Sequence, residues 1–528
     1  MTTTSPAFEP PSRSTTGRQA LLEFARPRTD WALALAPTLA PMIVGGVFGS
    51  TGTAFKVAYA ILILALFGYL WAMRTKPVVL VVGLLLWLTV ERLVVAALSP
   101  RLEPTAFTWL LAYKELFFPF LFVVGLPRAR RVWQASPPLV RFVDVAAVCF
   151  GVAIALAIVL SGAPLDHRIT YARRFAELPL LYLAARLLPI RMAEVRAIVT
   201  AIVVVAVPVA IFGFLERSIL ETLIWRTIAP AAQYYHLSVQ TGLAAYSAQE
   251  HLYKDLPYNF FIWDFGEPFR RLVSTYLEPT TLAMYLALAG VLALATWPRK
   301  GLTYVVVAVL AIATALTLGK AGLLVFGVAG GYAVLAHLRA ELREPATVVR
   351  LAVVVGALVA IVAAVMVLFG LWAGALAHVR GLNEGLTSVS KAPLGYGLGY
   401  GGDFGVGQTA AESSLGVMLV QIGLPGAAIW IAWIVGLALA CAYAARRSEV
   451  SVVSLTLAVA IFAFLVTAVF TESAGGLLGN WPYALLPALV LSATALAKGE
   501  AEGTDQMAAD RSASRAGQSA GGASEQAK

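Results

Sequence analysis

The sequence predicts an all-α, polytopic membrane protein: a bundle of about 12–14 transmembrane helices with two long loops on the non-cytoplasmic side. Hydrophobic residues make up 59% of the 528 positions and charged residues only 13%, against roughly 25% charged residues in a soluble domain. Apolar runs of spanning length, about 20 residues each, recur from Trp31 to Ala497. These runs are too long for barrel strands and must satisfy their own backbone hydrogen bonds in lipid, so we expect helices.

The chain divides into a membrane region and two polar ends. Residues 1–31 are rich in Pro, Ser and Thr and lack the apolar core of a cleavable signal peptide, so we expect a cytoplasmic tail. Residues 498–528 have the Ala/Gly/Ser-rich, charged composition that is typical of a disordered tail. The membrane region, 32–497, contains fourteen candidate spans, at about 32–49, 54–73, 77–98, 106–126, 139–161, 175–189, 197–215, 280–297, 302–318, 321–338, 351–374, 423–444, 451–471 and 478–497.

Basic residues predict the orientation of the bundle. Most positive charge falls in short connections on one side, which the positive-inside bias makes cytoplasmic together with both termini. The N-terminal tail and these connections carry Arg18, Arg26, Arg28, Arg74, Lys76, Arg128, Arg130, Arg131, Arg186, Arg191, Arg196, Arg299, Lys300, Arg339, Arg343, Arg350, Arg446 and Arg447. Topology therefore explains the net charge of +10 better than nucleic-acid binding does. Cys149 and Cys441 lie inside apolar runs and indicate neither a disulfide framework nor a metal site. The non-cytoplasmic side of the membrane is expected to carry the long segments 216–279 and 375–422.

Positive charge also occurs on the non-cytoplasmic side, where the bias disfavours it. Arg173 and Arg174 follow the fifth span, and Lys320 lies in a tight, glycine-flanked turn between the ninth and tenth spans. Arg270 and Arg271 precede the eighth span. Planar guanidinium groups at a membrane surface suit a phosphate or pyrophosphate. Basic side chains that extend toward lipid phosphates produce the same pattern.

Two further motifs occupy the second long loop. His378 and Arg380 precede a glycine-rich stretch, Pro393–Gly402, which without a βαβ context is not a dinucleotide fingerprint. This stretch either lets the backbone approach a bulky polar ligand or forms a flexible loop. Glu412 then opens a short apolar helix that we expect to break at Gly423. Its carboxylate is either a first-turn charge favoured by the helix dipole or a base at a dry membrane boundary.

Four charges lie inside predicted spans: Glu91 and Arg92 in the third, and Lys114 and Glu115 in the fourth. Intramembrane ions are functional candidates. The distance of these four from the loop motifs along the chain favours a structural role instead, for example a Glu91–Lys114 pair. The loop 216–279 is rich in Tyr, Trp and Phe, which is typical of membrane interfaces and also suits contact with sugar rings.

Taken in order, these motifs resemble the O-antigen ligase and O-antigen/exopolysaccharide polymerase family. The resemblance covers about residues 170–445. Its four pieces read Arg271-Leu-Val-Ser-Thr-Tyr-Leu-Glu-Pro279, Thr317-Leu-Gly-Lys320-Ala-Gly322, Arg380 with Pro393–Gly402, and Glu412-Ser413 followed by Gly423-x-x-Gly426. Glu412 stands where ligases of the family have a His, which favours a polymerase. Lys320 replaces an Arg, which keeps the charge and loses the bidentate fork.

The resemblance implies a GT-C-like fold and a glycosyltransferase that uses neither a metal nor a cofactor. The donor would be a glycan on undecaprenyl diphosphate, and the acceptor a hydroxyl of the next lipid-linked repeat unit in exopolysaccharide, capsule or O-antigen synthesis. The cations expected to bind the leaving diphosphate are Arg270, Arg271, Lys320 and Arg380, joined by Arg173 or Arg174. Glu412 would orient or deprotonate the acceptor hydroxyl, and His378 is a second candidate base.

The expected location is the bacterial inner membrane. The expected partners are the lipid-linked oligosaccharide, membrane lipids and a chain-length regulator or flippase, and no nucleic acid. Two other functions stay open. A ligase would move finished glycan to a different acceptor. A polysaccharide or lipid transporter would place polar sites near the bilayer midplane, often in paired repeats with broken helices, and the sequence has no internal duplication.

Overall fold

The computed structural model describes residues 30–241, 252–262, 267–296, 301–338, 344, 373–402, 406, 413–447, 451–471 and 479–497. The residues in these ranges are 84% helical with almost no sheet. Within these ranges, nine helices are long and apolar enough to cross a membrane, and three shorter apolar helices accompany them. The prediction of an all-α, multi-pass membrane bundle is confirmed, and the GT-C-like architecture stays a prediction.

Helices of the first half follow the apolar runs closely, with one exception. They are α1 (Asp30–Phe48), α2 (Gly52–Ala72), α3 (Pro77–Leu98), α4 (Pro104–Gly125), α5 (Ala129–Ala135), α6 (Pro138–Leu160), α7 (Leu165–Arg186), α8 (Met192–Ser218) and α9 (Ala231–Gln240). Three of them, α3, α4 and α6, begin with a proline in the first turn. Proline suits this position because its fixed φ is helical and its missing N–H would have no partner within the helix.

Helices of the second half surround a central helix, α10. They are α10 (Pro279–Thr296), α11 (Gly301–Leu316), α12 (Lys320–Val325), α13 (Gly331–Leu338), α14 (Ala373–Lys391), α15 (Ser414–Ala444), α16 (Ser451–Phe470) and α17 (Trp481–Ala497). Nearly every residue of α10 is buried, and it packs against α8, α11, α12 and α16. Most of the span predicted at 351–374 lies outside the described residues. The segment of Arg270 and Arg271 leads directly into α10, and therefore into the centre of the bundle.

The exception is α7, which differs from its predicted span at 175–189. It begins at Leu165, ten positions before the predicted span. The prediction missed the first half of this helix because that half is charged, and a search for apolar length does not find charged turns. Its last residue, Arg186, is buried and bound to Asp144 of α6, with Nε at 3.1 Å and Nη2 at 3.2 Å from the carboxylate oxygens. Arg186 therefore stabilises the contact between α6 and α7. The predicted orientation depends on the other basic clusters.

Both segments predicted as long loops contain secondary structure. The first continues α8 to Ser218 and includes α9. Two antiparallel strand pairs follow, Leu252–Tyr253 with Leu256–Pro257 and Phe261–Ile262 with Phe269–Arg270. In the second segment, α14 occupies the first half and α15 begins at Ser414. α15 is broken at Gly423, where φ is +67° and ψ is −171°, a conformation that glycine adopts without strain. The predicted short helix that breaks at Gly423 is confirmed.

Candidate functional site

A carboxylate that the sequence analysis did not single out holds the segment before α10. Glu216, in the last turn of α8, is fully buried. Its Oε1 accepts hydrogen bonds from the backbone N–H groups of Val273 (2.9 Å) and Ser274 (3.2 Å). Its Oε2 accepts from Trp225 Nε1 (2.6 Å) and Arg270 Nη2 (2.8 Å). An ionised carboxylate accepts at both oxygens, so Glu216 satisfies all of these donors together.

Arg270 is engaged within the protein. Its Nε donates to Glu221 Oε1 at 3.0 Å and its Nη1 to the backbone carbonyl of Arg271 at 2.6 Å. The guanidinium carbon lies 4.7 Å from the centre of the Phe260 ring, a cation–π distance. With the bond to Glu216, each guanidinium nitrogen has a partner. Arg270 thus fixes the conformation of this segment, and the diphosphate contact expected for it stays a prediction.

Arg271 joins the segment before α10 to the turn that contains Lys320. Its backbone N–H donates to the carbonyl of Phe260 at 2.8 Å, and the next N–H, of Leu272, donates to the carbonyl of Leu316 at 3.0 Å. Its side-chain Nε donates to the carbonyl of Thr317 at 2.8 Å. The two motifs, more than 40 residues apart in the sequence, are therefore neighbours in the structure.

The turn between α11 and α12 needs glycine because it lies against α10. A Cβ added to Gly319 would lie 2.5 Å from the Cβ of Ala283, and one added to Gly322 would lie 2.6 Å from Ala283 backbone atoms. Thr317 Oγ1 accepts a hydrogen bond from the Gly319 N–H at 3.0 Å and stabilises the turn. Lys320 is the first residue of α12. Close packing on α10 thus places this cation beside the segment of Arg271.

The glycine-rich stretch is packed against helices and is not a flexible loop. The N–H of Tyr396 donates to the carbonyl of Val420 at 2.8 Å, and that of Gly397 to the carbonyl of Gln421 at 3.0 Å. A Cβ on Gly397 would lie 2.5 Å from Ser161 Cα. Left-handed φ values occur at Gly395, Gly397, Gly399, Gly401 and Gly402. Of the two sequence-based alternatives, the flexible loop is wrong, and the close backbone approach is made to helices α6 and α15.

The same stretch reaches the helix that carries Arg173 and Arg174. Gly402 lies against the Tyr171 hydroxyl, in a space that no side chain could share. Two residues further along α7, Arg173 donates both from Nε to Glu115 Oε2 at 2.7 Å and from Nη2 to Glu115 Oε1. This two-point contact with α4 engages the Nε–Nη2 edge of the guanidinium. The diphosphate contact of Arg173 or Arg174 stays a prediction.

His378 and Arg380 lie on a helix, α14, rather than in a loop. Arg380 is exposed and His378 is half-buried. α14 packs on the first turns of α15 through glycines: a Cβ on Gly385 would lie 2.7 Å from Gly416 Cα. This close approach fixes α14 relative to α15, and with it the position of Arg380 at the protein surface.

The start of α15 is held by two serines. Ser413 caps the helix, since its Oγ accepts a hydrogen bond from the Gly416 N–H at 3.1 Å. Ser414 donates to the carbonyl of Thr471, at the end of α16, from its N–H at 3.0 Å and from its Oγ at 2.6 Å. α16 also contacts α12, which begins with Lys320, and α14, which carries Arg380. It therefore packs against all three segments that carry Lys320, Arg380 and Ser413. Glu412 lies outside the described residues.

The expected pair between the third and fourth spans is present. Lys114 Nζ lies 2.7 Å from Glu91 Oε1, and both side chains are buried between α3 and α4. The neighbouring residue on α4, Glu115, binds Arg173 of α7. Consecutive residues thus connect α3 to α4 and α4 to α7, which explains how charged residues are tolerated inside these helices.

Arg92 extends this arrangement to the segment before α10. Its Nη1 donates to the carbonyl of Tyr276 at 3.2 Å and lies 3.8 Å from Glu278 Oε2. We call the three pairs Glu278–Arg92, Glu91–Lys114 and Glu115–Arg173 the ion-pair network. The sequence predicted a structural role for the intramembrane charges because they lie far along the chain from the loop motifs. For Arg92 this argument is wrong, because folding brings it into contact with the motif of Arg271.

Two phenols next to the network stay neutral, Tyr276, which is buried, and Tyr234, which is partly buried. Burial raises the pKa of Tyr276 above its ordinary value, and burial likewise raises the pKa of Tyr234, whose ring lies 5.3 Å from that of Phe107. Both hydroxyls are therefore protonated at neutral pH and are suited to hydrogen bonding rather than to proton abstraction. In the described ranges, no group of three or more His, Cys, Asp or Glu side chains is placed to hold a metal ion.

Comparison with known proteins adds no assignment to this geometry. The chain matches no protein-family model, and no curated protein matches it.

Proposed function

We propose that this protein is a polysaccharide polymerase of the bacterial inner membrane. It transfers a glycan chain from undecaprenyl diphosphate to a hydroxyl of the next lipid-linked repeat unit. The observation that supports this proposal best is the direct contact of Arg271 with the turn that contains Lys320, at the buried start of α10. Two cations on contacting segments at one end of a membrane bundle suit a diphosphate.

The proposed reaction exchanges one bond at the anomeric carbon. The acceptor oxygen attacks this carbon, the bond to the diphosphate oxygen breaks, and the lipid diphosphate leaves with the electron pair. The acceptor proton passes to a carboxylate, for which we propose Glu412, the residue before Ser413 in the sequence, with His378 as the second candidate. The cations proposed to stabilise the leaving charge are Arg271, Lys320 and Arg380, with Arg173 or Arg174.

Orientation supports the same proposal. The basic residues predict both termini in the cytoplasm, and this orientation would place the motifs at the outer leaflet, where lipid-linked repeat units are presented after flipping. Tight packing of the glycines around α10 and α15 supports it further, because cations held by a rigid backbone need no rearrangement when charge develops. A chain-length regulator or flippase remains the proposed protein partner.

One observation favours a second candidate, a transporter. Broken helices are common at transporter binding sites, and α15 is broken at Gly423. Here the break is covered by protein, since a Cβ on Gly423 would collide with the Pro393 carbonyl oxygen. A break filled by the chain's own backbone leaves no space there for a substrate, so we place this function second.

The species that accumulates in a deletion strain tests the proposal. A polymerase predicts single lipid-linked repeat units on the outer face of the membrane. Long polymer that is not attached to its acceptor would instead indicate a ligase. Repeat units retained on the cytoplasmic face would indicate a transporter. Complementation with wild-type protein must restore the long polymer in the same strain.

A further inference from the structure

We propose that Arg92 is an additional diphosphate ligand, kept in place by Glu278 until the diphosphate arrives. The choice of a lipid diphosphate depends on the proposed function, whereas the anion site itself does not. In the occupied state the guanidinium of Arg92 leaves Glu278 and binds the phosphate oxygens, and Glu278 keeps its other hydrogen-bond donors.

Arg92 has more N–H donors than its contacts within the described ranges use. A guanidinium carries five N–H donors. Within the described ranges, Arg92 makes one hydrogen bond, to the carbonyl of Tyr276 at 3.2 Å, and one ion-pair contact, to Glu278 at 3.8 Å. The latter is beyond hydrogen-bonding distance. Arg270, by comparison, has a partner at each guanidinium nitrogen. A half-buried cation with unused donors is a site that an anion can occupy at little cost to the protein.

Charge balance in the ion-pair network points to the same residue. Glu91 is neutralised by Lys114 at 2.7 Å, and Glu115 by Arg173 through two hydrogen bonds. Arg92 is the cation of the network whose counter-charge is loosely held, so the network can release it without leaving a buried carboxylate unpaired.

Glu278 does not depend on Arg92. Its Oε1 accepts a hydrogen bond from Thr280 Oγ1 at 2.9 Å, and its Oε2 accepts from Asn259 Nδ2 at 3.4 Å. The carboxylate is also partly exposed, at 30% of its side chain. It therefore stays solvated and hydrogen-bonded when the guanidinium moves. Exchange of partners, rather than the breaking of a buried pair, lets an anion compete for Arg92.

The position of Arg92 near the end of α3 suits a ligand at the membrane surface. It lies six positions before Leu98, the last residue of α3, which at about 1.5 Å per residue is roughly 9 Å below the helix end. There it contacts the carbonyl of Tyr276, in the segment that begins with Arg271, while Arg271 is held by the carbonyl of Thr317 after α11. An intramembrane arginine that faces the protein interior is a functional candidate. The shared chemistry that this site recognises is a phosphate or diphosphate group.

The test is a titration of the purified full-length protein with inorganic pyrophosphate, followed by isothermal calorimetry. Arg92→Gln is expected to weaken binding about tenfold or more, since it removes a charge-assisted contact. Glu278→Gln is expected to tighten binding severalfold, because the competing charge is gone. The opposite signs distinguish ligand competition from general damage. Arg226→Gln is the matched control, because Arg226 pairs with Asp255 at an exposed site.

Three results would overturn the proposal: unchanged pyrophosphate affinity in Arg92→Gln, weaker binding in Glu278→Gln, or an equal loss in the Arg226→Gln control. A second titration series uses nanodiscs that contain phosphatidylglycerol or a polyprenyl diphosphate. Equal Arg92-dependent binding of both lipids would make this a general lipid-phosphate site and would refute the diphosphate assignment. Arg92-dependent pyrophosphate binding without any glycosyl transfer would refute the proposed function alone.

Discussion

Replacing Glu216 with glutamine should release the segment that carries Arg271. The carboxylate accepts from two backbone N–H groups on one oxygen and from Trp225 and Arg270 on the other. A glutamine amide has one acceptor oxygen, so in either orientation its NH₂ group faces two donors. Breaking a buried pair by removing one partner costs about 3–5 kcal/mol. The equilibrium for local opening should therefore rise about 100-fold or more.

Thiol labelling measures this opening directly. In a chain without Cys149 and Cys441, a single Val273→Cys substitution places a thiol at a fully buried position, and its labelling rate reports the open population. Glu216→Gln should raise that rate about 100-fold. Glu221→Gln is the matched control, because Glu221 binds the same arginine from a 38% exposed side chain. A pair of that kind is worth about 0–1 kcal/mol, so the rate should rise less than about fivefold. Equal rates in the two variants would refute the reasoning.

Three further predictions concern stability and activity. Glu91→Ala should lower the melting temperature of the purified protein strongly, since it leaves the Lys114 ammonium buried and unpaired. Replacing both Glu91 and Lys114 with leucine should restore most of the lost stability. Equal melting temperatures of the single and double variants would contradict this prediction. Gly397→Ala should also lower the melting temperature, because φ is +92° and the added Cβ meets backbone, while Gly151→Ala, with open space around it, should not. Arg271→Ala should abolish long polymer at a normal protein level in a membrane fraction, and normal chain length would exclude Arg271 from the site.

Much of the fold was predictable because apolar length is a local property of the chain. The bounds of α3, with Pro77 at its start, follow from a local signal, and so does the break at Gly423. α7 was predicted ten positions too late because its charges hide its length, and one of these charges, Arg173, is paired with Glu115 on another helix. A partner that lies 58 positions away in sequence cannot be read from the helix itself.

The cations of the candidate site could be predicted from the sequence, but the residues that surround them could not. Arg271 and Lys320 were marked by unexpected charge on one side of the membrane, and the structure brings their segments together. Glu216 was missed, although a carboxylate at the end of an apolar run followed by Arg217 is an unusual signal. Its role depends on Val273 and Ser274, which are 57 and 58 positions away. Arg92 was undervalued for the same reason.

The central claim is the transfer of a glycan from a lipid diphosphate, and a reconstituted reaction tests it most directly. Purified protein in nanodiscs is incubated with an undecaprenyl diphosphate-linked repeat unit, without added metal and with a chelator. We expect a ladder of lengthened lipid-linked glycans, with one undecaprenyl diphosphate released per bond formed, and no ladder with Arg271→Ala. A repeat unit that stays unextended with active, folded wild-type protein, or an equal ladder from Arg271→Ala, would contradict the account.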